Sequence, residues 1–358
     1  MNRTWIKARY AAALSRTGIG RMMGGRQAQP IVVGYHRVVE DFDAAAETSI
    51  PSLLITTRTL ERHLDWMGRH YRFVDLDELG RRMESGESGG RPVAAITFDD
   101  GYRDFHDVAL PLLKRKGIPA ALFVVTDHVG TARPQAHDSL YLLLARRIAR
   151  VMENGPGILR RFGGVRLPDV ASLGPYQSTR VLLETLPLAA VERVIEALEA
   201  EDPLSPNMLE SFRPVTWEML AECHRAGVMI GSHTRTHILM PNETDARANH
   251  EALASREELE GRLGIAVRHF AYPSGIFNAR SVAAVAAAGY RFGYTTCGHR
   301  SPEHPMLTLP RTILWENACV DERREFSESI LSCQVRHAFD FVSGCRQRHA
   351  FGESPAEV

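Results

Sequence analysis

Apolar residues in this chain come in short unbroken blocks rather than in strict alternation, and stretches with helical spacing lie between them. Ile31 to Tyr35, Val93 to Phe98, Ala120 to Val125, Val228 to Gly231, Val267 to Tyr272, Tyr290 to Thr296 and Leu307 to Leu309 each read as a buried strand. Between them, Thr57 is placed to cap a helix carrying Leu60, Leu64 and Met67 on one face, and Phe105 to Lys116 reads as a second helix. Thr216 caps another, Ala246 to Leu263 forms a long polar-faced one, and Asn278 caps an alanine-rich helix that Gly289 ends. Strands that are apolar throughout imply a parallel sheet covered on both faces, either a barrel or a doubly wound sheet. In both architectures the active site gathers just past the strand C-termini. The residues there are His36, Asp99, Asp100, His233, His237 and Ser274.

The strand rhythm stops between Thr126 and Arg213. Helix-favouring segments such as Ser139 to Met152 and Leu188 to Glu199 are parted there by Gly and Pro clusters. The expected organisation is a basic leader over 1–29, a first core part over 30–126, a helical insertion over 127–213, a second core part over 214–320 and a helical then polar tail over 321–358.

Charge narrows the function classes. The 358 residues hold 43 basic and 43 acidic side chains, so no global field draws the protein to nucleic acid, and a nucleic-acid partner is not expected. Five scattered cysteines without a C-x-x-C pair argue against a disulfide framework and against a cysteine-built zinc site, which fits a reducing cytoplasm. No run of about 18 apolar residues offers a membrane span. The leader carries Arg3, Lys7, Arg9, Arg16, Arg21 and Arg26, but its apolar block near Ala11 to Leu14 is too short for a signal-peptide core. The expected location is therefore the cytoplasm. Trp5, Ile6, Tyr10 and Leu14 fall near helical spacing, so the leader could touch the inner face of the membrane; a frayed or barrel-packed leader is the plainer expectation.

Two segments carry chemistry. Thr97-Phe98-Asp99-Asp100-Gly101 sets adjacent carboxylates at the end of a strand, and neighbouring strand side chains point to opposite faces unless the chain turns. Gly101 supplies freedom for that turn. His233 and His237 follow another strand at a spacing that, on a helical turn, puts both imidazoles on one face. Asp100, His233 and His237 together form a three-ligand set with an open position, the arrangement of catalytic rather than structural zinc. Asp99 is left to take a proton, which makes amide or ester hydrolysis the natural reaction class.

These segments resemble the T-F-D-D-G and H-[ST]-x-x-H motifs of polysaccharide deacetylases, the NodB-homology or carbohydrate esterase family 4 domain. The resemblance implies a distorted (β/α) barrel, here with the mostly helical insertion, and one divalent metal, zinc by expectation. It implies removal of N-acetyl groups from an amino-sugar glycan, with Asp99 as base and Asp100, His233 and His237 as ligands. The likeness spans roughly Ile31 to Leu314.

Two departures stand out. The family's R-P-P-Y-G loop is Phe270-Ala271-Tyr272-Pro273-Ser274-Gly275 here, so the arginine that orients the base is missing, and Arg235 or Arg268 is the expected replacement. A backbone N–H near Ser274 remains available to an oxyanion. The late L-x-H motif reads Leu309-Pro310-Arg311, without its histidine. Val33-Gly34-Tyr35-His36 looks like the strand that circularly permuted members carry at the front, which nominates His36 as general acid. His299 and His304 are weaker candidates, and His269 is expected to be structural. The rival readings are an O-acetyl esterase or small-amide hydrolase on the same fold, and a carbohydrate-binding domain without turnover. Compartment logic points to a lipid- or nucleotide-linked glycan precursor as substrate.

Overall fold

Among the described residues one parallel sheet holds nine strands, of which eight lie side by side: β1 (Ile31–Tyr35), β2 (Val93–Phe98), β3 (Ala120–Val124), β4 (Met229–Ser232), β5 (His269–Ala271), β6 (Phe292–Thr295), β7 (Leu309–Pro310) and β8 (Thr312–Ile313), while the two-residue strand Arg72–Phe73 adds to the start of β2. The computed structural model of this chain describes residues 30–87, 89–154, 161–162, 164–166, 173–339, 345 and 349. The basic leader expected over 1–29, and most of the polar tail, lie outside them.

Only Arg311 separates β7 from β8. One of these short strands pairs with β6 and the other with β1, so a single extended segment joins the two edges and closes the sheet into a barrel. The Arg311 N–H donates to the Thr295 carbonyl at 2.8 Å and the Leu314 N–H to the Gly34 carbonyl at 2.9 Å, extending both ladders. Closure removes the unpaired strand edges that an open sheet would leave.

The unbroken apolar blocks reflect burial on both sides. Val32, Ala95, Ala121, Phe123, Ala271, Tyr294 and Leu309 form one cluster, joined by Val74, Leu76 and Leu79. The alternate residues Val33, Tyr35, Ile96, Phe98, Leu122 and Val124 belong to another, packed against the Leu60, Leu64 and Met67 face of helix Thr57–His70. That helix is capped by Thr56 rather than Thr57, because the Thr56 hydroxyl is the one that accepts from the Thr59 N–H. Thr216 and Asn278 cap their helices as expected, Asn278 through a reciprocal capping box with Ser281. The segment from Phe105 opens with a π-helical turn to Ala109 before becoming helix Leu110–Lys116.

The insertion holds helices Ala136–Asn154, Pro175–Thr185 and Leu188–Glu201, whose Leu140, Leu143, Leu144, Leu182, Val191 and Val194 form their own cluster. A small antiparallel pair, Arg161–Phe162 with Val165–Arg166, interrupts the helices. Among the described residues no helix is long and apolar enough to cross a membrane.

Register sets up the site. Tyr35 lies opposite Phe98, Phe98 opposite Leu122, Val124 opposite Ser232 and Ser232 opposite Phe270. The residues just beyond, His36, Asp99, Asp100 and His233, therefore leave the barrel at one end.

Candidate metal centre and active site

Asp99 continues the ladder of β2, donating its N–H to the Tyr35 carbonyl at 2.9 Å. The next residue turns: Asp100 has φ +73° and Gly101 φ +69°. Asp100 itself thus takes the left-handed conformation that the sequence reading assigned to Gly101 alone. Aspartate tolerates this region better than most residues, at a cost on the order of 1–3 kcal/mol. The turn brings both carboxylates to one place, and the Gln135 side-chain amide fixes it by donating to the Asp100 carbonyl at 3.0 Å.

His233 and His237 meet by a route the sequence did not anticipate. Thr234 and His237 have φ of +68° and +60°, so the segment is a looped turn and not a helical one. The fully buried Glu251 pins it: its carboxylate accepts from the N–H groups of Arg235 and Thr236 at 2.9 and 2.8 Å and from the Thr236 hydroxyl at 2.7 Å. His233 Nδ1 lies 2.7 Å from the Ala271 carbonyl. A carbonyl can only accept, so Nδ1 carries the proton and the Nε2 lone pair points at Asp100.

Among the described residues the buried Asp100 Oδ1 has no hydrogen-bond donor, yet His237 Nε2 and His233 Nε2 face it at 3.3 and 3.6 Å. Donor atoms of all three residues lie within 4.8 Å of one another. An orphaned carboxylate oxygen beside two imidazole nitrogens fits a shared cation, and one carboxylate with two imidazoles suits a divalent metal. Burial raises the pKa of both carboxyls. Arg311 and His233 beside Asp99, and His237 and His137 beside Asp100, outweigh that effect and hold both below the usual carboxylate range. Burial pushes His233 down to about 4, keeping it neutral as a ligand must be.

Arg311 is the residue the sequence reading missed. Its guanidinium, 1 % exposed inside the barrel, grips Asp99 at both oxygens (2.7 and 2.6 Å) and donates to the Thr97 hydroxyl at 3.1 Å. It lies over the Phe123 ring, and a Cβ at Gly34 would sit 3.7 Å from its Nη1. Neither expected substitute for the motif arginine serves. Arg235 pairs with Asp127, and Arg268 pairs with Asp77 beside a 310 Å³ cavity that Asp75, Met229 and His269 also line, away from Asp100. The signal was present in Leu309-Pro310-Arg311, a position read only for the histidine it lacks.

His36, at the end of β1, sets Nε2 4.0 Å from Asp100 Oδ2. His137, from the start of the insertion, approaches the same oxygen at 3.9 Å and went unnoticed because no strand precedes it. The Tyr102 hydroxyl lies 2.8 Å from His137 Nε2 and donates to Asp138 at 2.7 Å. Burial lowers His137 to about 3; it also raises Asp138 to about 7 against the pull of Tyr102 and Arg37. Ser274 is exposed on the loop after β5 with φ +54°, and among the described residues no hydrogen bond or ion pair joins it to the Asp100 cluster. His269 is structural as expected, bonded to the Tyr294 hydroxyl and to Asp77.

A sequence profile described as polysaccharide deacetylase matches residues 86–161 and 182–293, more than half of the chain. A poly-beta-1,6-N-acetyl-D-glucosamine N-deacetylase of Staphylococcus epidermidis is 29% identical over 133 residues, covering 35% of this chain but only 45% of that protein's length. Among solved structures, a Streptococcus pyogenes deacetylase, PplD, in complex with acetate superposes with a TM-score of 0.54 at 19% identity, covering 85% of this chain and 97% of that one. IcaB from Ammonifex degensii superposes with a TM-score of 0.51 at 17% identity, covering 86% and 97%. At such identities these likenesses establish the fold, the (β/α) barrel described above.

Proposed function

Because this chain belongs to the polysaccharide deacetylase family, we propose that it is a metal-dependent hydrolase that removes N-acetyl groups from a glucosamine-containing glycan. The observation that carries the reading is the pairing of an orphaned Asp100 Oδ1 between His233 and His237 with an Asp99 held by Arg311. The sugar follows from the Staphylococcus relative, which is named for N-acetylglucosamine polymer.

Asp100, His233 and His237 would hold the metal, and a set of two imidazoles and one carboxylate favours zinc with a position left for substrate. Once bound, a divalent metal supplies Lewis acidity that makes water a competent nucleophile near neutral pH. Asp99 takes the proton of the attacking water. Its two oxygens each keep a lone pair beyond the one given to Arg311, and Oδ2 faces His233 Nε2 at 4.0 Å. His36 returns a proton to the amide nitrogen as the C–N bond breaks, releasing acetate and a free amine. The Ser274 loop is assigned the oxyanion, through a backbone N–H.

The test is to incubate the zinc-loaded protein with N-acetylglucosamine oligomers and with O-acetylated sugars, and to follow acetate and free amine by mass spectrometry. Amine formation from the N-acetyl substrate supports the reading; acetate release from esters alone would replace it with esterase activity. Lipid- or nucleotide-linked oligomers in the same assay test a carrier-bound precursor against finished polymer.

A further inference from the structure

Far from Asp100 in sequence, four soft donors meet at the end of β6. Cys297 and His299 follow that strand, and Cys345 and His349 come from the C-terminal segment. Their ligand atoms all lie within 4.8 Å of one another. His349 Nε2 is the hub, 3.3 Å from Cys345 Sγ and 3.5 Å from Cys297 Sγ. The His299 ring lies with its centroid 4.5 Å from that of His349. Tetrahedral zinc with bonds of about 2.0–2.3 Å places its ligand atoms roughly 3.3–3.8 Å apart, so little rearrangement would bring the four onto one ion.

The supporting contacts point the same way. His349 Nδ1 lies 3.1 Å from the Phe277 carbonyl, which orients that nitrogen as donor and turns Nε2 toward the two thiols. A ring nitrogen anchored to a backbone carbonyl is the usual support of a histidine ligand. The imidazole also packs on the Phe277 ring at 4.3 Å, and the Ala279 N–H donates to the His349 carbonyl at 3.1 Å. Cys297 and Cys345 are not joined as a disulfide. Two thiols and two imidazoles leave no position open for substrate, which makes the set structural in kind.

We propose that Cys297, His299, Cys345 and His349 form a second, structural metal site that takes zinc and ties Cys345 and His349 to the end of β6, beside the loop carrying Ser274 and Phe277. The cysteine spacing concealed it, since the ligands pair as Cys-x-His and Cys-x-x-x-His rather than as C-x-x-C. The position matters because a Cβ on Gly275 of that loop would meet Thr296, the neighbour of Cys297, at 2.2 Å. An ion there would hold the active-site loop through its rim neighbours.

The full-length, reduced protein is loaded with zinc, and separately with cobalt, and compared with its Asp100→Ala and Cys345→Ser variants. The expected zinc content is about two equivalents per chain in the wild type and about one in each variant. Cobalt-loaded wild type and Asp100→Ala should show a thiolate-to-cobalt charge-transfer band that Cys345→Ser lacks. The band is read on the wild type, so the test survives a variant that fails to fold, and it does not depend on the Asp100 centre. A cobalt-loaded wild type without the band would overturn the proposal. So would a zinc content in Cys345→Ser equal to the wild type, or a Cys297–Cys345 disulfide by mass in protein purified with zinc present.

Discussion

Arg311 grips both oxygens of Asp99 from the segment that closes the barrel, across 212 residues of sequence. Asp99 and Arg311 thus come from strands on either side of β1, and closure of the sheet is what brings them together. Arg311→Lys keeps a charge but loses the two-pronged geometry. We expect kcat to fall about 10–100-fold, the range typical when a supporting contact in a metal site is removed, with metal content unchanged. A loss of metal equal to that of Asp100→Ala would instead make Arg311 a support of the ligands.

The acid and base assignments separate by variant. Asp99→Asn should retain metal and lose turnover. His36→Ala should retain metal and slow acetate release by about 10²–10⁴, the usual contribution of a general acid. Single-turnover rates with metal content measured beside them check both, and an unchanged rate in His36→Ala would shift the proton donor to another group.

Glu251 links the histidine loop to the helix Asp245–Leu263. In Glu251→Ala two backbone N–H groups lose their acceptor, each at about 1–3 kcal/mol when left buried. The loop also loses the contact that holds Thr234 and His237 in left-handed backbone. The expected result is a lower urea midpoint together with about 10–100-fold weaker metal affinity by competition with a chelator. Loss of stability with metal affinity intact would confine Glu251 to folding.

Stability should carry a histidine signature away from the Asp100 cluster. Burial holds His63, beside the Tyr35 hydroxyl at 3.2 Å, down at about 3. The unfolded imidazole binds a proton near pH 6.5 while the folded one stays neutral. Its contribution is therefore fully present above about pH 6.5 and is lost as pH falls toward 3, by about 1.4 kcal/mol per unit. His63→Leu cannot titrate, so between pH 7 and 5 its urea-derived stability should fall about 2 kcal/mol less than that of the wild type. Parallel losses in the two proteins would refute the assignment.

What the sequence disclosed followed from local physics. Buried parallel strands need apolar blocks, caps need Thr or Asn, and Asp100, His233 and His237 follow strand ends, so the fold and the three residues of the candidate metal cluster were legible. Arg311 was not, because its contact with Asp99 exists only once the barrel closes, and Leu309 and Ile313 do not reveal that they belong to strands on opposite edges. The left-handed backbone at Asp100 and His237 was hidden for a related reason: Gln135 and Glu251 impose it from distant segments. His137 lay inside an insertion read only for its helices. The Cys297 and Cys345 cluster escaped because its ligand pairs follow no familiar cysteine spacing.

On the proposed function, the Asp100, His233 and His237 centre drives hydrolysis of an N-acetyl amide. The most direct test strips the protein with chelator and follows acetate release from N-acetylglucosamine oligomers before and after zinc is restored, in wild type and Asp100→Ala. Activity is expected to disappear on stripping, to return with zinc in the wild type and never to appear in Asp100→Ala. Acetate release that persists without metal, or survives in Asp100→Ala, would contradict it.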